Sequence, residues 1–252
     1  MLLLRRARHP RGNYSASRTA ASDSPALISR HAGCAAVLQK DANVLAMLSQ
    51  PAINGAVVIG ITGGVATGKS AFCESLRQLS RGTFFDADRA AHDLSHNDPE
   101  VREMIAREFG AEIYSAAGEL NRARLRAIVF DDKEKKLALE RILHPRIRQQ
   151  WAEQAAKSRK SGELFLADIP LLYETGGETL CDRVVVVACS ARTQLERLTA
   201  RTRLDATLAR QMIETQMPLI EKIRRADHLV WNNDGRFSLE AQAVILARFL
   251  QQ

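Results

Sequence analysis

Eight residues decide the fold, and they read Gly63-Gly64-Val65-Ala66-Thr67-Gly68-Lys69-Ser70. The stretch matches the pattern G-x-x-x-x-G-K-[ST], it follows an apolar run, and a helical pattern begins directly after it. Gly63 and Gly68 permit a tight backbone curl that aims N–H groups at phosphate oxygens, and the helix adds the positive end of its dipole. Lys69 is expected to reach the β- and γ-phosphates, and the Ser70 hydroxyl to bind Mg²⁺. The stretch therefore predicts a phosphate-binding loop (P-loop) that takes a nucleoside triphosphate.

From Val57 onward, short β-branched runs alternate with helical patterns, which is typical of a parallel sheet covered by helices. The predicted strands are Val57–Ile61, Thr83–Phe85, Leu164–Ala167, Val184–Ala188 and His228–Trp231. The sequence therefore predicts an α/β fold with three layers around a five-stranded parallel sheet.

Residues 86–163 separate the second and third predicted strands, and this segment is too long for a simple crossover. Helical patterns cover Pro99–Phe109, Arg122–Phe130, Lys133–Leu143 and Pro145–Lys160. We expect an inserted helical lobe here, over residues 89–161. Two helices after the fourth strand, the second ending near Gln216, predict a helical lid over residues 191–217. An amphipathic helix at Leu239–Leu250 closes the chain.

Residues 1–55 lack sustained periodicity and are rich in Arg, Ser and Ala, so we expect a disordered extension in front of one domain over residues 56–252. A passive tail, or a start codon placed too far upstream with Met47 as the true start, is favoured. An organellar transit peptide is the alternative, because an Arg-rich and acid-poor leader also fits that class. The expected compartment is the cytoplasm, or an organelle if residues 1–46 are a transit peptide.

The formal net charge is +7, from 36 Lys and Arg against 29 Asp and Glu. Residues 1–46 carry seven of the basic residues and two of the acidic ones, so the main body is nearly balanced. A balanced body argues against a nucleic-acid-binding stripe, and no apolar run approaches the roughly eighteen residues of a membrane span. We therefore expect neither nucleic acid nor a membrane as a partner. The cysteines lack metal-ligand spacing and are expected to be reduced structural thiols; they are Cys34, Cys73, Cys181 and Cys189.

Three carboxylates follow predicted strands and are candidates for acid–base or metal chemistry. Asp86 and Asp88 come at the end of the second strand and Asp168 ends the third, where ligands bind in parallel sheets. A carboxylate there can accept a proton from an attacking hydroxyl or hold Mg²⁺ through water. The alternatives are an N-cap on the following helix for Asp86 and Asp88, and simple solvation at a strand end for Asp168.

Arg197 and Arg201 are four residues apart and so share one helical face, from which a mobile segment could neutralise charge on a transferring phosphoryl group. A solvated basic face is the alternative. His144 precedes Pro145, which favours a helix start, so His144 can cap, pack or face the substrate. The segment Asn232-Asn233-Asp234-Gly235 lacks the lysine of an N-K-x-D element, which disfavours a switch GTPase and favours a small-molecule phosphotransferase.

Several motifs occur together and in one order. They are Ile59–Ser70, Phe85-Asp86-Ala87-Asp88 with His92, Leu143-His144-Pro145, Asp168-Ile169-Pro170-Leu171-Leu172-Tyr173-Glu174-Thr175-Gly176, the two lid arginines, Gln216, Ala226-Asp227 and Asn232-Asn233-Asp234-Gly235. P-loops are shared by many families, whereas this combination is specific. Over residues 57–236 the chain resembles the dephospho-coenzyme A kinase family.

The resemblance implies a P-loop kinase-type fold and ATP-dependent phosphorylation of the ribose 3′-hydroxyl of dephospho-coenzyme A, the last step of coenzyme A synthesis. Asp88 matches the family's general base, Lys69 and Arg197 match its phosphate-stabilising positions, and Arg201 is a second lid position. ATP is expected along the P-loop as far as Ala71 and against Asn233 and Gly235. The helical lobe is expected to hold dephospho-coenzyme A, and the substrate-binding candidates are Asp86, His92, His144, Asp168 and Leu171. Ser70 is expected to bind Mg²⁺, with Asp86 or Asp168 acting through water.

Two residues depart from the family pattern. Ala66 stands where the family commonly has Gly, and Ala71 where it has Ser or Thr. A methyl at Ala66 is tolerable if the φ angle there is negative. The alternative functions are another nucleoside or nucleotide kinase and a non-catalytic, ATP-binding regulatory module. A monomer or weak homo-oligomer is expected.

Overall fold

The computed structural model describes residues 57–250. The sequence-based predictions for residues 1–55, including the transit peptide and the start at Met47, lie outside the described residues. Within the described part of the chain, no helix is long and apolar enough to cross a membrane.

A single parallel sheet lies at the centre of the domain. Its strands are β1 (Val58–Gly63), β2 (Thr83–Asp86), β3 (Phe165–Asp168), β4 (Arg183–Ala188) and β5 (His228–Trp231), in the spatial order β2-β3-β1-β4-β5. The five predicted strands are confirmed, with ends that differ by one or two residues. Because β1 lies between β3 and β4, its carboxyl end is where the chain order changes direction, and ligands bind at such points.

Nine α-helices occur in residues 57–250. They are α1 (Lys69–Leu79), α2 (Ala87–Asn97), α3 (Pro99–Phe109), α4 (Arg122–Asp131), α5 (Lys133–Ser161), α6 (Ala191–Thr202), α7 (Ala206–Glu214), α8 (Leu219–Arg225) and α9 (Arg236–Phe249). Helices α1 and α9 pack against each other, and α2 to α5 pack together as the helical insert between β2 and β3. Helices α6 and α7 form an adjacent pair after β4. The three-layer α/β prediction is therefore confirmed.

The sheet is the core of the domain. Every residue of β1 and β3 is buried, and Val58, Ile59 and Ile61 have no exposed surface. Such continuous apolar runs, without alternation, are what a parallel sheet covered on both faces requires. The free thiols of Cys73, Cys181 and Cys189 belong to the buried or partly buried residues around it.

The prediction of two helices on either side of His144 is wrong. Helix α5 is continuous from Lys133 to Ser161 and contains Pro145. Proline removes one backbone hydrogen bond from a helix interior, which normally ends the helix. Here the helix continues because apolar residues before and after the proline share one buried face, and these are Leu139, Leu143, Ile147 and Trp151.

Phe72 provides a test of the core between α1 and the sheet, because its side chain is completely buried. We expect Phe72→Ala to lower the free energy of unfolding by about 3–5 kcal/mol, through lost burial and the cavity that remains. The matched control is Phe237→Ala, because Phe237 is 85% exposed, and its effect should stay within about 0.5 kcal/mol. Urea unfolding measures both, and equal losses in the two variants would contradict this description of the core.

Candidate active site

The P-loop is shaped by two glycines that have no room for a side chain. A Cβ on Gly63 would lie 2.3 Å from the carbonyl oxygen of Val187, and one on Gly68 would lie 2.1 Å from Asn232 Nδ2. Gly68 also has a φ angle of +94°, in the left-handed region that favours glycine. The Asn232 side chain occupies this space because its amide donates a hydrogen bond to the carbonyl of Thr67 (2.8 Å). The loop is thus held in its curled shape by close contact with the ends of β4 and β5.

Ala66 does not have the negative φ angle that the sequence analysis required of it. Its φ is +60°, so the loop keeps a left-handed conformation at a residue that carries a methyl group. That conformation costs an L-residue roughly 1–2 kcal/mol relative to the right-handed one. The methyl group packs against a small apolar cluster that contains Val65 from the loop, Leu198 from α6 and Ala209 from α7. Packing against α6 and α7 therefore offsets part of the strain.

Lys69 begins α1 and forms an ion pair with Asp168 at the end of β3. Both side chains are buried, with 10% and 5% exposure. Burial alone would lower the pKa of Lys69, but the neighbouring carboxylates, Asp168 foremost and Asp88 to a smaller extent, raise it above its ordinary value. The ammonium group is therefore fully charged at neutral pH, as an anion site requires.

The three candidate carboxylates come together at the same edge of the sheet. Asp86 and Asp168 are direct neighbours in the register of β2 and β3. Asp86 is the N-cap of α2, because its side chain accepts a hydrogen bond from the backbone N–H of Arg89 (3.0 Å). Asp88 lies in the first turn of the same helix, close enough to Lys69 to influence its pKa. The capping alternative therefore applies to Asp86, whereas Asp88 lies inside the first turn of the helix.

Arg197 lies on the other side of the P-loop from these carboxylates, at the ends of β4 and β5. Its guanidinium group donates a hydrogen bond to the backbone carbonyl of Asn232 (2.7 Å) and contacts Cys189. The side chain of Asn233 accepts a hydrogen bond from the backbone N–H of Ser190 (2.9 Å). Gly235 has a φ of +91° and directly precedes α9. These contacts hold the segment predicted to contact ATP against the start of α6.

The remaining predicted residues are more dispersed. Arg201 lies in the last turn of α6. His92 is on the half-exposed face of α2, beside Asp93 (3.5 Å). His144 lies within α5, where burial lowers its pKa and keeps the imidazole neutral. Leu171 is half-buried in the turn after β3.

Sequence analysis missed three polar residues that contact the P-loop or the turn beside it. Gln216 accepts a hydrogen bond from the N–H of Val65 (3.0 Å), and Gln194 donates one to its carbonyl (2.9 Å). Lys222 is completely buried beside the carbonyl of Gly63. Gln216 was noted in the resemblance without a role. Lys222 sits in a basic stretch that resembles a solvated helix surface, so no local signal could have revealed it.

The fold and this arrangement of loop, lysine and carboxylates define a P-loop kinase. The model of the dephospho-CoA kinase family matches residues 57–238. The dephospho-CoA kinase of Bacillus cereus is 42% identical over 180 residues, which are 71% of this chain and 89% of the relative. That of Listeria monocytogenes is 40% identical over 195 residues, which are 77% of this chain and 97% of the relative. The chain belongs to the dephospho-CoA kinase family.

Solved structures support the same assignment. A crystal structure from Thermus thermophilus has a TM-score of 0.61 and 31% identity, and covers 77% of this chain and 98% of its own. The dephospho-CoA kinase from Campylobacter jejuni has a TM-score of 0.57 and 26% identity, with 77% and 96% covered. The predicted family, fold class and enzyme class are thus confirmed, and ATP is the phosphoryl donor that a kinase of this family uses.

The strain at Ala66 predicts the direction in which a glycine substitution changes the free energy of unfolding. We expect Ala66→Gly to raise the free energy of unfolding by about 0.5 kcal/mol, because relief of roughly 1–2 kcal/mol of strain exceeds the roughly 0.5–1 kcal/mol of added chain entropy. The matched control is Ala71→Gly on the exposed face of α1, which should lower stability by about 1 kcal/mol. Urea midpoints of the two variants should move in opposite directions. A loss of stability in both would mean that the Ala66 methyl contributes more through packing than it costs through strain.

Proposed function

We propose that this chain transfers the γ-phosphoryl group of ATP to the ribose 3′-hydroxyl of dephospho-coenzyme A. One observation supports the residue roles. The P-loop and Lys69 lie beside the carboxylates Asp88 and Asp168, at the carboxyl ends of β1, β2 and β3. A phosphate-binding loop with carboxylates beside it supports this proposal, because in-line transfer needs a group that orients the nucleophile next to the bound phosphates.

Asp88 is the residue proposed to orient and deprotonate the 3′-hydroxyl. It lies in the first turn of α2, at the entrance to the helical insert and near Lys69. Oδ1 of this carboxylate is shielded from solvent. A carboxylate in this place can accept the proton as the oxygen attacks the phosphorus, while Asp86 is engaged in capping the helix.

Lys69 is proposed to bind the transferring phosphate. In the structure its charge is balanced by Asp168, so phosphate oxygens compete with that carboxylate for the ammonium group. Arg197 is proposed to add a second cation once its hydrogen bond to Asn232 is exchanged for the nucleotide, with Arg201 one helical turn further on. Cations that meet charge as it spreads over the equatorial oxygens stabilise the transition state.

The residues present fit a magnesium ion. Ser70 supplies a hydroxyl in the first turn of α1, and Asp86 and Asp168 supply carboxylates in register at the same sheet edge. Hard oxygen donors of this kind are what Mg²⁺ prefers, usually with water and substrate phosphates completing its shell. When bound, the ion would neutralise negative charge on the β- and γ-phosphates.

The acceptor is proposed to lie against the helical insert, with His92, His144 and Leu171 as further contacts. Burial keeps the imidazole of His144 neutral, so it can donate or accept a hydrogen bond without adding charge. We further infer a cytoplasmic protein that acts as a monomer or weak homo-oligomer. The organellar alternative depends on residues 1–46.

The decisive experiment measures ADP release by the full chain with MgATP, with and without dephospho-coenzyme A, and identifies the product by mass. We expect ADP only with the acceptor, and a product heavier by one phosphoryl group. Adenosine and other nucleosides and nucleotides serve as competing acceptors. Phosphorylation of one of these in preference would favour another nucleoside or nucleotide kinase, and MgATP binding without ADP from any acceptor would favour a regulatory module.

Asp88→Asn tests the proposed base. The amide keeps the size of the side chain but cannot take the proton, so kcat should fall by roughly 10²–10⁴. The dissociation constant of MgATP should change little, because the substitution leaves the P-loop intact. Steady-state kinetics and calorimetry separate the two quantities.

The matched control for that variant is Asp93→Asn, one and a half turns further along α2, where the carboxylate is 55% exposed and pairs with Arg89. It should leave kcat within about twofold, since exposed ion pairs contribute little. An unchanged kcat in Asp88→Asn would remove Asp88 from the role of base.

A further inference from the structure

The structure contains a second buried lysine beside the P-loop. Lys222, on α8, has no exposed surface. Its ammonium group contacts three oxygens, which are Glu174 Oε1 (2.8 Å), the carbonyl of Pro170 (3.0 Å) and the carbonyl of Gly63 (3.5 Å). A charge this deeply buried is costly unless several polar groups surround it, and here they do.

These three oxygens lie on the segments that form the phosphate site. Gly63 ends β1 and begins the P-loop, and Pro170 comes two residues after Asp168. The Pro170 carbonyl also accepts a hydrogen bond from the hydroxyl of Thr62 in β1 (3.0 Å). Lys222 therefore joins the start of the P-loop to the turn that follows the Asp168 strand.

The segment that carries Lys222 is fastened to the loop at two further points. Glu174 accepts the backbone N–H of Met217 (3.0 Å) as well as the Lys222 ammonium group. Gln216 accepts the N–H of Val65 (3.0 Å), which fixes the orientation of its amide. The Nε2 group of the same amide is buried and has no hydrogen-bond partner among residues 57–250. An unused buried donor close to Val65 suits a site that receives phosphate oxygens.

A purely structural ion pair explains these contacts less well. Replacing a buried ion pair by apolar residues of similar volume is often neutral or stabilising, so stability alone does not call for a lysine here. Lys222 also lies close enough to Lys69 for the two charges to repel each other. A polyanion bound at the P-loop would reduce this repulsion.

We propose that Lys222 is a positioning residue for the triphosphate of ATP: it holds the Gly63 and Pro170 carbonyls in place, connects α8 to the P-loop and adds positive charge to the phosphate site. Lys222 acts through the backbone that it holds, so it is distinct from Lys69, which contacts phosphate. Its loss should weaken MgATP binding and leave the affinity for the acceptor unchanged.

The test compares Lys222→Met, Glu174→Gln, the double variant and the exposed control Lys157→Met. Calorimetry with MgATP alone gives the nucleotide dissociation constant, so the measurement needs no acceptor and is independent of the proposed reaction. Urea unfolding gives stability, and steady-state kinetics give the KM for dephospho-coenzyme A.

We expect Lys222→Met to bind MgATP about tenfold more weakly, equivalent to about 1.4 kcal/mol, with the acceptor KM unchanged. Lys157→Met should bind MgATP like the natural chain, because it leaves Lys222 and its three oxygen partners in place. Glu174→Gln removes the carboxylate that stabilises the buried cation, so it should weaken MgATP binding, but by no more than Lys222→Met does. The double variant has no unpaired carboxylate, so it should be more stable than Lys222→Met while its MgATP affinity stays low.

If Lys222→Met fails to fold, the double variant still tests whether Lys222 is needed for MgATP binding. Recovery of both stability and MgATP affinity in the double variant would overturn the proposal and make Lys222 a structural residue only. An equal rise in the dissociation constant of MgATP and in the KM of the acceptor would overturn it as well, because a positioning role at the P-loop affects the nucleotide alone.

Discussion

The site depends on one steric constraint, the close approach of neighbouring backbones and side chains to the P-loop. At Gly63 the carbonyl of Val187 leaves no room for a Cβ, and at Gly68 the side chain of Asn232 leaves none. Because the loop is confined from two sides, its backbone N–H groups are aimed before any phosphate arrives. Such preorganisation is the largest contribution that a protein makes to phosphoryl transfer, since no dipoles then have to reorient during the reaction.

Charge balance is the second constraint. Two buried lysines, Lys69 and Lys222, lie beside the loop. Each forms an ion pair with a carboxylate from one short segment, which runs from the end of β3 into the turn after it. Asp168 is at the end of β3, and Glu174 lies in the following turn. This one short segment therefore supplies the counter-charge for both lysines. The two ion pairs also explain why the sequence motif that begins at Asp168, the last residue of β3, continues beyond the strand to include Glu174.

The features that could be predicted from the sequence are those that local residue patterns determine. Residues 63–70 specified the loop, and β-branched runs located five strands, because a parallel sheet buried on both faces is written as continuous apolar runs. The carboxylate cluster also followed from strand ends, since parallel strands bring their carboxyl ends to one edge. The family motifs then assigned the reaction class, which the comparisons confirmed.

The errors arose where tertiary contacts override local preference. Pro145 predicted a helix boundary, but a buried face on both sides of it keeps α5 continuous. The sequence analysis made a methyl group at Ala66 tolerable only at a negative φ, yet the fixed loop geometry and contact with α6 and α7 hold this residue in the left-handed region. Lys222 was overlooked because its burial depends on three oxygens that are 48 or more residues away in the chain. Long-range contacts of this kind leave no periodic trace in the sequence.

The same contacts fasten α6 and α7 to the P-loop. The side chain of Val65 is 6% exposed and packs against Leu198 and Ala209 from α6 and α7, while Gln194 and Gln216 hold both polar groups of its backbone. A rigid swing of both helices away from the loop would expose Val65, at about 1.5–3 kcal/mol for a side chain of this size, and would break the buried hydrogen bond from Gln194. Motion that leaves this cluster intact avoids that cost.

The far end of α6 is better suited to such motion, since Arg203 there is in a left-handed conformation that ends the helix. Arg197 donates a hydrogen bond to the carbonyl of Asn232, so α6 is fastened both to the P-loop and to the segment that follows β5.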